Sequence, residues 1–389
     1  MSYNDDENDY GYDDYGYEES YRDSEQRRKR GMSSNAKWGI ALIIELIVIV
    51  LLVLALVKSY IHNKYELLDY HDLSGKDLSI NDGIDEEAMK GYTNIALFGV
   101  DARDSSLGAG NRSDAIMVCS INNETGEVKV CSVYRDTLLE IPDPDGAFTS
   151  KINAAYAYGG PELAIGALNN NLDLNITDYV TVNWEGLTRA IDAIGGVEIS
   201  VEENELDMLN ACLTEQIRAT GIYSEGVFET GMLTLNGAQA TAYSRIRSTD
   251  QGDITRTERQ REVISAMLSK LKGSDLNTID KIIDEIFPYI STSISEDEMY
   301  KLASNIFSYK LDETVGFPFQ YQFYGSETKG SCIAPEDLSG NVSALQRYLF
   351  GTQNYVPTQN VQRISNDITT ETGFGSNGTV KLPSEKTEE

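Results

Sequence analysis

An almost unbroken apolar run from Trp38 to Val57 constrains this chain more than any other feature. A membrane-spanning helix needs about 20 such residues, and the run has that length. A cluster of Arg and Lys precedes it, whereas only Lys58 and Lys64 follow closely. Because basic residues favour the cytoplasmic side, we predict a single-pass protein of the cell membrane, with one transmembrane helix over 38–58 and a cytoplasmic N-terminus. The long tail before the run and the lack of an A-x-A-like site disfavour a cleaved signal peptide.

Changes in composition divide the rest of the chain into segments. Residues 1–37 are rich in Asp, Glu, Tyr and Gly and show no helical or strand period, which predicts a disordered acidic cytoplasmic tail. The polar residues 59–91 predict an extracellular stalk. The main domain is expected over 92–275, a C-terminal extension of it over 276–355, and a disordered tail rich in Thr, Asn, Ser and Glu over 356–389.

Strand-like and helix-like segments alternate within 92–275. A buried strand over 94–100 ends at Asp101, and two strand-like runs over 114–121 and 127–134 predict a hairpin. Helices are predicted over 151–158, 161–170, 185–194, 236–244 and 254–272, and further strands over 179–183 and 197–201. An acidic segment over 202–230 is predicted to be partly helical. The alternation indicates a layered α/β domain.

The ionisable residues exclude several classes of function. The 389-residue chain has a formal net charge of −30, which opposes binding to nucleic acid. Its only histidines are His62 and His71, so the main domain lacks a histidine for a Ser-His-Asp triad, a general base or a metal ligand. The four cysteines form no CxxC pair. Cys119 and Cys131 flank the hairpin turn, which leaves open either a cross-strand disulfide or two free buried thiols.

Arginine is concentrated in short segments that also carry Asp. These segments lie at strand ends and helix starts, and they contain Asp101, Arg103, Arg112, Asp114, Arg135, Asp136, Arg245, Arg247, Asp253, Arg256, Arg259 and Gln260. Such ends gather at one edge of an α/β sheet, which is the usual place for a ligand. Guanidinium groups brought together there repel one another unless an anion joins them, and they bind phosphate oxygens in a bidentate manner.

Two carboxylates in these segments, Asp101 and Asp114, are candidates to hold Mg²⁺ (or Mn²⁺) beside a phosphate group. The alternative is that the Asp–Arg pairs are structural ion pairs at strand ends. For one pair the two interpretations are equally good, but five such segments in one domain favour the anion site. Lys151 and Asn153 fit either a substrate contact or a solvated helix start.

Three aromatic residues near these segments also have two interpretations. Tyr156, Tyr158 and Trp184 either form a platform for a sugar or belong to the core. We favour the core, because large aromatic residues are more often buried than used as a binding surface.

Eight motifs follow one another along 92–275. They are Gly99-Val100-Asp101-Ala102-Arg103, Arg112-Ser113-Asp114, Tyr134-Arg135-Asp136, Lys151-Ile152-Asn153-Ala154-Ala155-Tyr156, Asp192-Ala193-Ile194-Gly195-Gly196-Val197, Leu235-Asn236-Gly237-Ala238-Gln239-Ala240, Arg245-Ile246-Arg247 and Arg256-Thr257-Glu258-Arg259-Gln260. Together, and in this order, they resemble the LytR-CpsA-Psr family of cell-wall glycopolymer ligases. The tail, the span and the external domain are similar to that family as well.

The resemblance implies a layered α/β/α domain with a central mixed sheet, preceded by one transmembrane helix. It implies a Mg²⁺-dependent phosphotransferase that takes a glycopolymer, such as teichoic acid or capsule, from a polyprenyl diphosphate carrier and attaches it to peptidoglycan through a phosphodiester. Asp101 and Asp114 would then hold the metal. The diphosphate would be bound by Arg103, Arg112, Lys151, Arg256, Arg259 and Gln260, and the candidate catalytic residues are Arg135, Arg245, Arg247 and Asp253.

The chain departs from the family in two places. Tyr134 stands where the family usually has Pro, and the acidic segment over 202–230 is longer than expected. That segment is expected to cover the mouth of the site or to reshape the acceptor groove. The group that takes the proton of the acceptor hydroxyl stays open among Asp253, Asp136, Asp101 and a metal-bound hydroxide.

Three other functions fit the same residues. The first is a diphosphatase that transfers to water. The second is a membrane-anchored regulator of cell-envelope gene expression, of the LytR-type attenuator kind. The third is a glycan-binding scaffold without catalysis. Topology and charge oppose contact with DNA, so the phosphotransferase is favoured.

Overall fold

A computed structural model of the chain describes residues 56, 58–101, 107–247, 253–271, 273–306, 308–312, 314–375 and 379–386. The predicted tail over 1–37 and nearly all of the predicted span over 38–58 lie outside these ranges, as does Arg103. Within the ranges, no helix combines the length and the apolar character that a bilayer crossing requires. Every element below belongs to the unit Ile61–Glu389.

The strands are named in chain order. They are β1 (Asp69–Tyr70), β2 (Tyr92–Val100), β3 (Ser113–Asn122), β4 (Glu127–Val133), β5 (Leu138–Ile141), β6 (Phe148–Lys151), β7 (Asp178–Asn183), β8 (Val197–Val201), β9 (Gly231–Leu235), β10 (Ile290–Thr292), β11 (Lys310–Leu311), β12 (Val315–Phe317), β13 (Tyr321–Ser326) and β14 (Gly330–Pro335).

The helices are named in the same way. They are α1 (Glu86–Met89), α2 (Asn153–Leu172), α3 (Trp184–Ala193), α4 (Leu206–Thr220), α5 (Gly237–Tyr243), α6 (Asp253–Leu271), α7 (Leu276–Ile286), α8 (Glu296–Ser304), α9 (Leu338–Phe350) and α10 (Gln359–Thr372). The two helices predicted over 151–158 and 161–170 form the single element α2, which is interrupted by non-helical backbone at Gly159 and Gly160.

A mixed sheet of eight strands runs through the domain. Its order is β1-β10-β7-β2-β3-β4-β11, with β12 also paired to β4. The predicted hairpin is confirmed, since β3 and β4 pair in an antiparallel manner. Strand β2 is parallel to β7, and β11 and β12 are parallel to β4. The predicted central mixed sheet of an α/β fold is therefore confirmed.

Side chains alternate between the two faces of the sheet, as a strand period of two requires. On β2, Ala96, Phe98 and Val100 join the largest core cluster, which also contains residues of α2, α9 and α10. Ile95 belongs to a smaller cluster on the other face, where Leu302 of α8 packs. A third cluster contains residues of the five helices α3, α4, α5, α6 and α7 and of the strands β8 and β9. Helices thus cover both faces of the sheet.

Most of the stalk predicted over 59–91, from residue 61 onward, is part of the domain instead. Strand β1 pairs with β10 at the edge of the sheet. Leu78, Ile84 and Met89 are buried in the main core. The segment looked like a stalk because these apolar side chains are scattered among polar ones, with no regular period to reveal which of them are buried.

The disordered tail predicted over 356–389 is also corrected. Helix α10 occupies part of it and buries Val361, Ile364 and Ile368 against α2 and α9. At the end of α2, Asp173 accepts hydrogen bonds from the backbone N–H of Thr358 (2.8 Å) and the hydroxyl of Tyr355 (3.1 Å). The extension expected over 276–355 completes the same sheet, because it supplies β10, β11 and β12. The domain therefore extends well beyond the predicted boundaries of 92 and 275.

The hairpin register decides the state of two cysteines. Cys119 lies opposite Val130, whereas Cys131 lies opposite Val118. Because directly opposite residues share a face, the two cysteines point to opposite faces of the sheet and cannot form a disulfide. Both are free, and burial raises the pKa of each thiol to about 12.

The packing of α10 predicts a loss of stability on truncating one buried side chain. Ile364 is 1% exposed, so Ile364→Ala should lower the free energy of unfolding by about 2–5 kcal/mol. The matched control is Asn366→Ala on the exposed side of the same helix, which should change it by less than about 0.5 kcal/mol. Denaturant unfolding measures both, and equal stability of the two variants would mean that the segment is a tail after all.

Candidate active site

Four strands, β2, β3, β4 and β7, each have one end at the same edge of the sheet. The parallel strands β2 and β7 end there, at Val100 and Asn183. Strand β3 begins there at Ser113, and β4 ends nearby. The edge therefore collects Asp101, Arg112, Asp114, Arg135 and Trp184, which directly follow or open these strands. This is the edge where the sequence predicted a ligand.

A β-bulge sets the position of Asp114. Gly99 pairs with Ala115 and Val100 with Ser113, so β3 carries one extra residue at this point, and that residue is Asp114. A bulge bends a strand and redirects the side chain of the extra residue. Asp101 lies one residue beyond Val100 on the neighbouring strand, so the two candidate metal ligands stand on adjacent strands at the same edge.

Asp114 is the meeting point of cationic side chains from two distant segments. Arg135 donates a short hydrogen bond to its Oδ1, and the Nη1 of Arg256 lies 3.9 Å from its Oδ2. The backbone carbonyl of Asp114 accepts hydrogen bonds from Arg256 Nη2 (3.2 Å) and Gln260 Nε2 (3.4 Å). Arg256 is only 2% exposed. The spacing of residues 256 and 260 thus places both on the helix face that meets this edge, as the sequence predicted.

The turn that carries Arg135 is held by two backbone hydrogen bonds and one ion pair. The N–H of Asn153 donates to the Arg135 carbonyl (3.1 Å), and the N–H of Ile333 donates to the Asp136 carbonyl (2.9 Å). Lys151 Nζ lies 3.2 Å from Asp136 Oδ2. Asn153 therefore anchors this turn. Lys151 adds a further positive charge next to Arg135, since both contact Asp136. Ile333, a buried residue of β14, thus supports the site, and no motif in the sequence indicated this role.

Tyr134, the departure from the family motif, is an anchor of the same turn. It is buried against Ile254 at the start of α6 and against Ile333, and its ring lies 5.9 Å from that of Tyr321. A Cβ at Gly316 would overlap the Tyr134 hydroxyl, so this glycine makes room for the ring. Burial raises the pKa of the Tyr134 phenol.

A second cationic group stands beside the start of α3. The guanidinium of Arg245 lies 5.9 Å from the ring centre of Trp184 and donates to Gln216 Oε1 (3.0 Å). Arg247 is exposed. Burial raises the pKa of the Cys212 thiol, while Arg245, Arg247 and Arg259 act in the opposite direction.

Arg259 differs from the other predicted phosphate ligands. Its guanidinium is buried and paired with Glu205, at 2.7 Å between Nη2 and Oε1. Its Nη1 donates to the carbonyl of Ile246 (3.2 Å). Direct binding of phosphate by Arg259 stays a prediction, and its contacts point to a supporting role. The burial of Glu205 in an acidic segment could not be seen in the sequence.

The remaining candidates are placed as follows. Arg112 is exposed beside Asp114, whereas Arg103 lies outside the described residues and only the backbone of Asp253 is described. Tyr156 and Trp184 are buried, which confirms the core interpretation for them. For Tyr158 that interpretation was wrong, because it is 64% exposed and packs edge-on against Phe148.

The carboxylates of the site fit a metal that shares its ligands with a substrate. Among the described residues, no group of three or more His, Cys, Asp or Glu side chains is arranged to hold a metal. Asp101 and Asp114 supply two carboxylates, and Mg²⁺ commonly binds through one or two carboxylates and substrate phosphates. In the described part of the chain, the Asp101 side chain takes part in no ion pair.

Comparison with known proteins agrees with the motif order. The profile of the LytR_cpsA_psr family matches residues 58–331. The chain belongs to this family. The match begins before residue 92, in keeping with the packing of residues 61–91 in the domain, and the resemblance seen in the sequence is confirmed.

Two named relatives cover only part of the chain. The chain is 35% identical over 224 residues to the polyisoprenyl-teichoic acid–peptidoglycan teichoic acid transferase TagU of Oceanobacillus iheyensis, a match that covers 56% of this chain and 63% of that protein. A protein of the same name from Enterococcus faecalis is 32% identical over 212 residues, covering 54% of this chain and 64% of that protein. The chain thus spans less than two thirds of the length of these relatives.

Solved structures share the fold. Protein gbs0355 from Streptococcus agalactiae has a TM-score of 0.56 and 24% identity, covering 78% of this chain and 98% of that chain. TagT bound to LI-WTA has a TM-score of 0.52 and 21% identity, covering 78% of this chain and 100% of that chain. At such identities the similarity concerns the fold alone.

The anchoring of Tyr134 predicts that the family's usual residue is unfavourable here. The N–H of Tyr134 donates to the carbonyl of Phe317 (3.0 Å), and proline has no N–H. Tyr134→Pro also removes the buried ring, so it should lower the free energy of unfolding by about 3 kcal/mol or more. Tyr134→Phe keeps both the N–H and the ring and should unfold close to the wild-type midpoint. A stable Tyr134→Pro variant in thermal unfolding would contradict this account of the loop.

Proposed function

We propose that the protein is a phosphotransferase that moves a glycopolymer from a polyprenyl diphosphate carrier to peptidoglycan. The observation that carries this proposal is the convergence of Arg135 and Arg256 on Asp114, beside Asp101, at the ligand edge of the sheet. Guanidinium groups gathered around one carboxylate form a site that accepts a doubly charged diphosphate in bidentate contacts.

The reaction joins an acceptor hydroxyl to the phosphorus that bears the glycopolymer. The hydroxyl oxygen forms a new P–O bond, and the bond from that phosphorus to the oxygen bridging the two phosphates breaks. Polyprenyl monophosphate leaves with the bridging oxygen, and the hydroxyl proton passes to a base. Such a transfer depends on positioning and on neutralising charge more than on covalent chemistry by the protein.

The residues of the site divide these tasks. Arg135 and Arg256 neutralise charge on the diphosphate, while Lys151 extends the positive surface next to them. Arg245 lies beside Trp184, and it and Arg247, two residues further along the same turn, would meet the oxygens that gain charge as the bond breaks. The ion pairs of Asp136 with Lys151 and Arg135 disfavour it as the proton acceptor, so that among the side chains Asp101 and Asp253 stay candidate bases.

A divalent cation, Mg²⁺ or Mn²⁺, would be held by Asp101 and Asp114 together with the diphosphate. When bound, it would supply Lewis-acid neutralisation of the phosphate charge. Asp114 is already paired with Arg135, so a cation alone must compete with a guanidinium for this carboxylate. A diphosphate gives the arginines another anion, which leaves Asp114 free to bind the cation.

The relatives support the choice of polymer and place. Two of them are named as teichoic acid transferases acting between a polyisoprenyl carrier and peptidoglycan. We therefore assign this chain an anionic polymer of the teichoic acid type. The apolar run over 38–58 would hold the domain at the outer face of the membrane, where both the carrier and peptidoglycan are accessible.

The arginine roles predict a loss of transfer without a loss of folding. Arg135→Ala and Arg247→Ala should each slow transfer at least about a hundredfold, because each removes a preorganised donor to the reacting phosphate. Arg218→Ala, which removes an exposed arginine of α4 outside the site, is the matched control and should transfer at the wild-type rate. The assay supplies a lipid-linked polymer with and without peptidoglycan and identifies the products by mass.

The same assay separates the alternatives. Wild-type protein that forms the peptidoglycan adduct supports the transferase, whereas release of phosphorylated polymer at the same rate without acceptor would identify a diphosphatase. Normal adduct formation by folded Arg135→Ala and Arg247→Ala variants would contradict the site.

Because Arg135 and a cation compete for Asp114, we expect the diphosphate to raise the affinity of the protein for the cation. In calorimetric titrations of the full-length protein, Mg²⁺ should bind at least about tenfold more tightly when inorganic pyrophosphate is present. The reason is that the pyrophosphate draws Arg135 away from the carboxylate and adds its own oxygens. Asp101→Asn should abolish this coupling. Equal affinity for Mg²⁺ with and without pyrophosphate would remove Asp114 as a metal ligand.

A further inference from the structure

The acidic segment that distinguishes this chain contributes two buried polar side chains to the site. The segment consists of a 3-10 turn, Glu203–Glu205, followed by α4. Its acidic residues Glu202, Glu203 and Asp207 are exposed, whereas Glu205 is 7% exposed and Gln216 is fully buried. A polar side chain in such a place must be paired, because an unpaired one would destabilise the fold.

Glu205 forms an ion pair with Arg259, and Arg259 in turn donates a hydrogen bond to the turn that carries Arg245 and Arg247. Both Nε (2.8 Å) and Nη2 (2.7 Å) of Arg259 contact Oε1 of Glu205. The Nη1 of Arg259 donates to the carbonyl of Ile246 (3.2 Å). Ile246 is itself buried and lies between Arg245 and Arg247, so this relay fixes the backbone from which both arginines extend.

Gln216 holds Arg245 directly. Its Oε1 accepts from Arg245 Nη1 (3.0 Å), and its Nε2 donates to Thr188 Oγ1 (3.2 Å). The Thr188 hydroxyl in turn donates to the carbonyl of Trp184 (2.8 Å). The amide is thus oriented by α3, and it keeps the guanidinium of Arg245 near the Trp184 ring.

We propose that Glu205 and Gln216 are positioning residues that fix Arg245 and the 245–247 turn for contact with the diphosphate. This inference rests on the proposed phosphotransferase function. Neither residue touches the substrate, and each acts through an arginine. Fixed donors are effective because they need no reorganisation during the reaction, and a small misplacement of such a group costs a large part of the rate.

Gln216→Met tests the direct contact, since methionine has a similar length and neither donor nor acceptor of comparable strength. We expect the rate of transfer, as kcat/KM, and the affinity for inorganic pyrophosphate with Mg²⁺ each to fall about tenfold. Arg218→Met makes the same replacement two residues further along α4 at an exposed position and should leave both quantities unchanged.

A double-mutant cycle separates positioning from a general structural role. In an Arg245→Lys background, which keeps the charge but loses the fork of donors, Gln216→Met should cause no further loss in rate or affinity. Losses that simply add would overturn the inference for Gln216.

Glu205 is tested in two steps, because breaking one partner of a buried ion pair destabilises the fold. Glu205→Gln should lower transfer, whereas Glu203→Gln at the neighbouring exposed position should not. The double variant Glu205→Leu with Arg259→Met replaces the pair with apolar groups and should restore most of the unfolding temperature, although it also removes the hydrogen bond from the Glu202 N–H to Glu205 Oε2. Transfer should stay at least about tenfold low, because the Ile246 carbonyl has lost its donor. Recovery of full activity together with stability would overturn the inference for Glu205.

The controls distinguish the two levels of the proposal. If the wild-type and Glu203→Gln proteins transfer normally and Gln216→Met keeps the wild-type rate and affinity, the positioning role alone is overturned. A wild-type protein that binds pyrophosphate but forms no adduct would overturn the transferase, while the affinity cycle still decides the role of Gln216. A wild-type protein with no affinity for pyrophosphate would overturn both.

Discussion

The site depends on one carboxylate, that of Asp114, standing between two guanidinium groups. Both guanidinium groups contact this carboxylate, so they would repel each other without the negative charge that Asp114 supplies between them. Much of the surrounding fold serves this arrangement. The bulge in β3 directs Asp114 to the edge, and backbone hydrogen bonds from Asn153 and Ile333 hold the Arg135 turn. In the proposed reaction, the diphosphate would take the place of the carboxylate as the partner of the arginines.

Part of this site could be predicted from the sequence because strand ends are local features. Asp101, Asp114 and Arg135 each stand at the end or start of an apolar strand, and the strand pattern alone brings them to one edge. The supporting residues could not be predicted in this way. Glu205 and Gln216 lie in an acidic, partly amphipathic segment whose composition is that of a solvated surface. Their importance depends on burial and on partners that are distant in sequence, such as Arg259 and Arg245.

The same holds for the fold: features set by short-range sequence patterns were predicted, whereas burial against residues distant in sequence was not. The hairpin of β3 and β4 and the alternation of strands and helices follow from short-range periods, and these were predicted. The extent of the domain was not. In α10 the apolar residues Val361, Ile364 and Ile368 repeat at helical spacing, but Thr, Asn and Ser surround them and hide the pattern. Their burial depends on α2, and on Asp173, which binds the start of the segment from nearly two hundred residues away.

The acidic segment also accounts for how a strongly acidic chain keeps a cationic site. Exposed acids more than about 8 Å away are largely screened at physiological ionic strength, so the local partners decide the charge of each arginine. Arg259 is neutralised by buried Glu205, whereas Arg245 is held by the neutral amide of Gln216 and only weakly by exposed Glu215 at 3.6 Å. An amide fixes the geometry of a guanidinium without cancelling its charge. A carboxylate at position 216 would give the same geometry, but an incoming phosphate would then have to displace it. Under the proposed function, the choice of Gln over Glu at this buried position keeps Arg245 available for an anion, whereas the charge of Arg259 is balanced by Glu205.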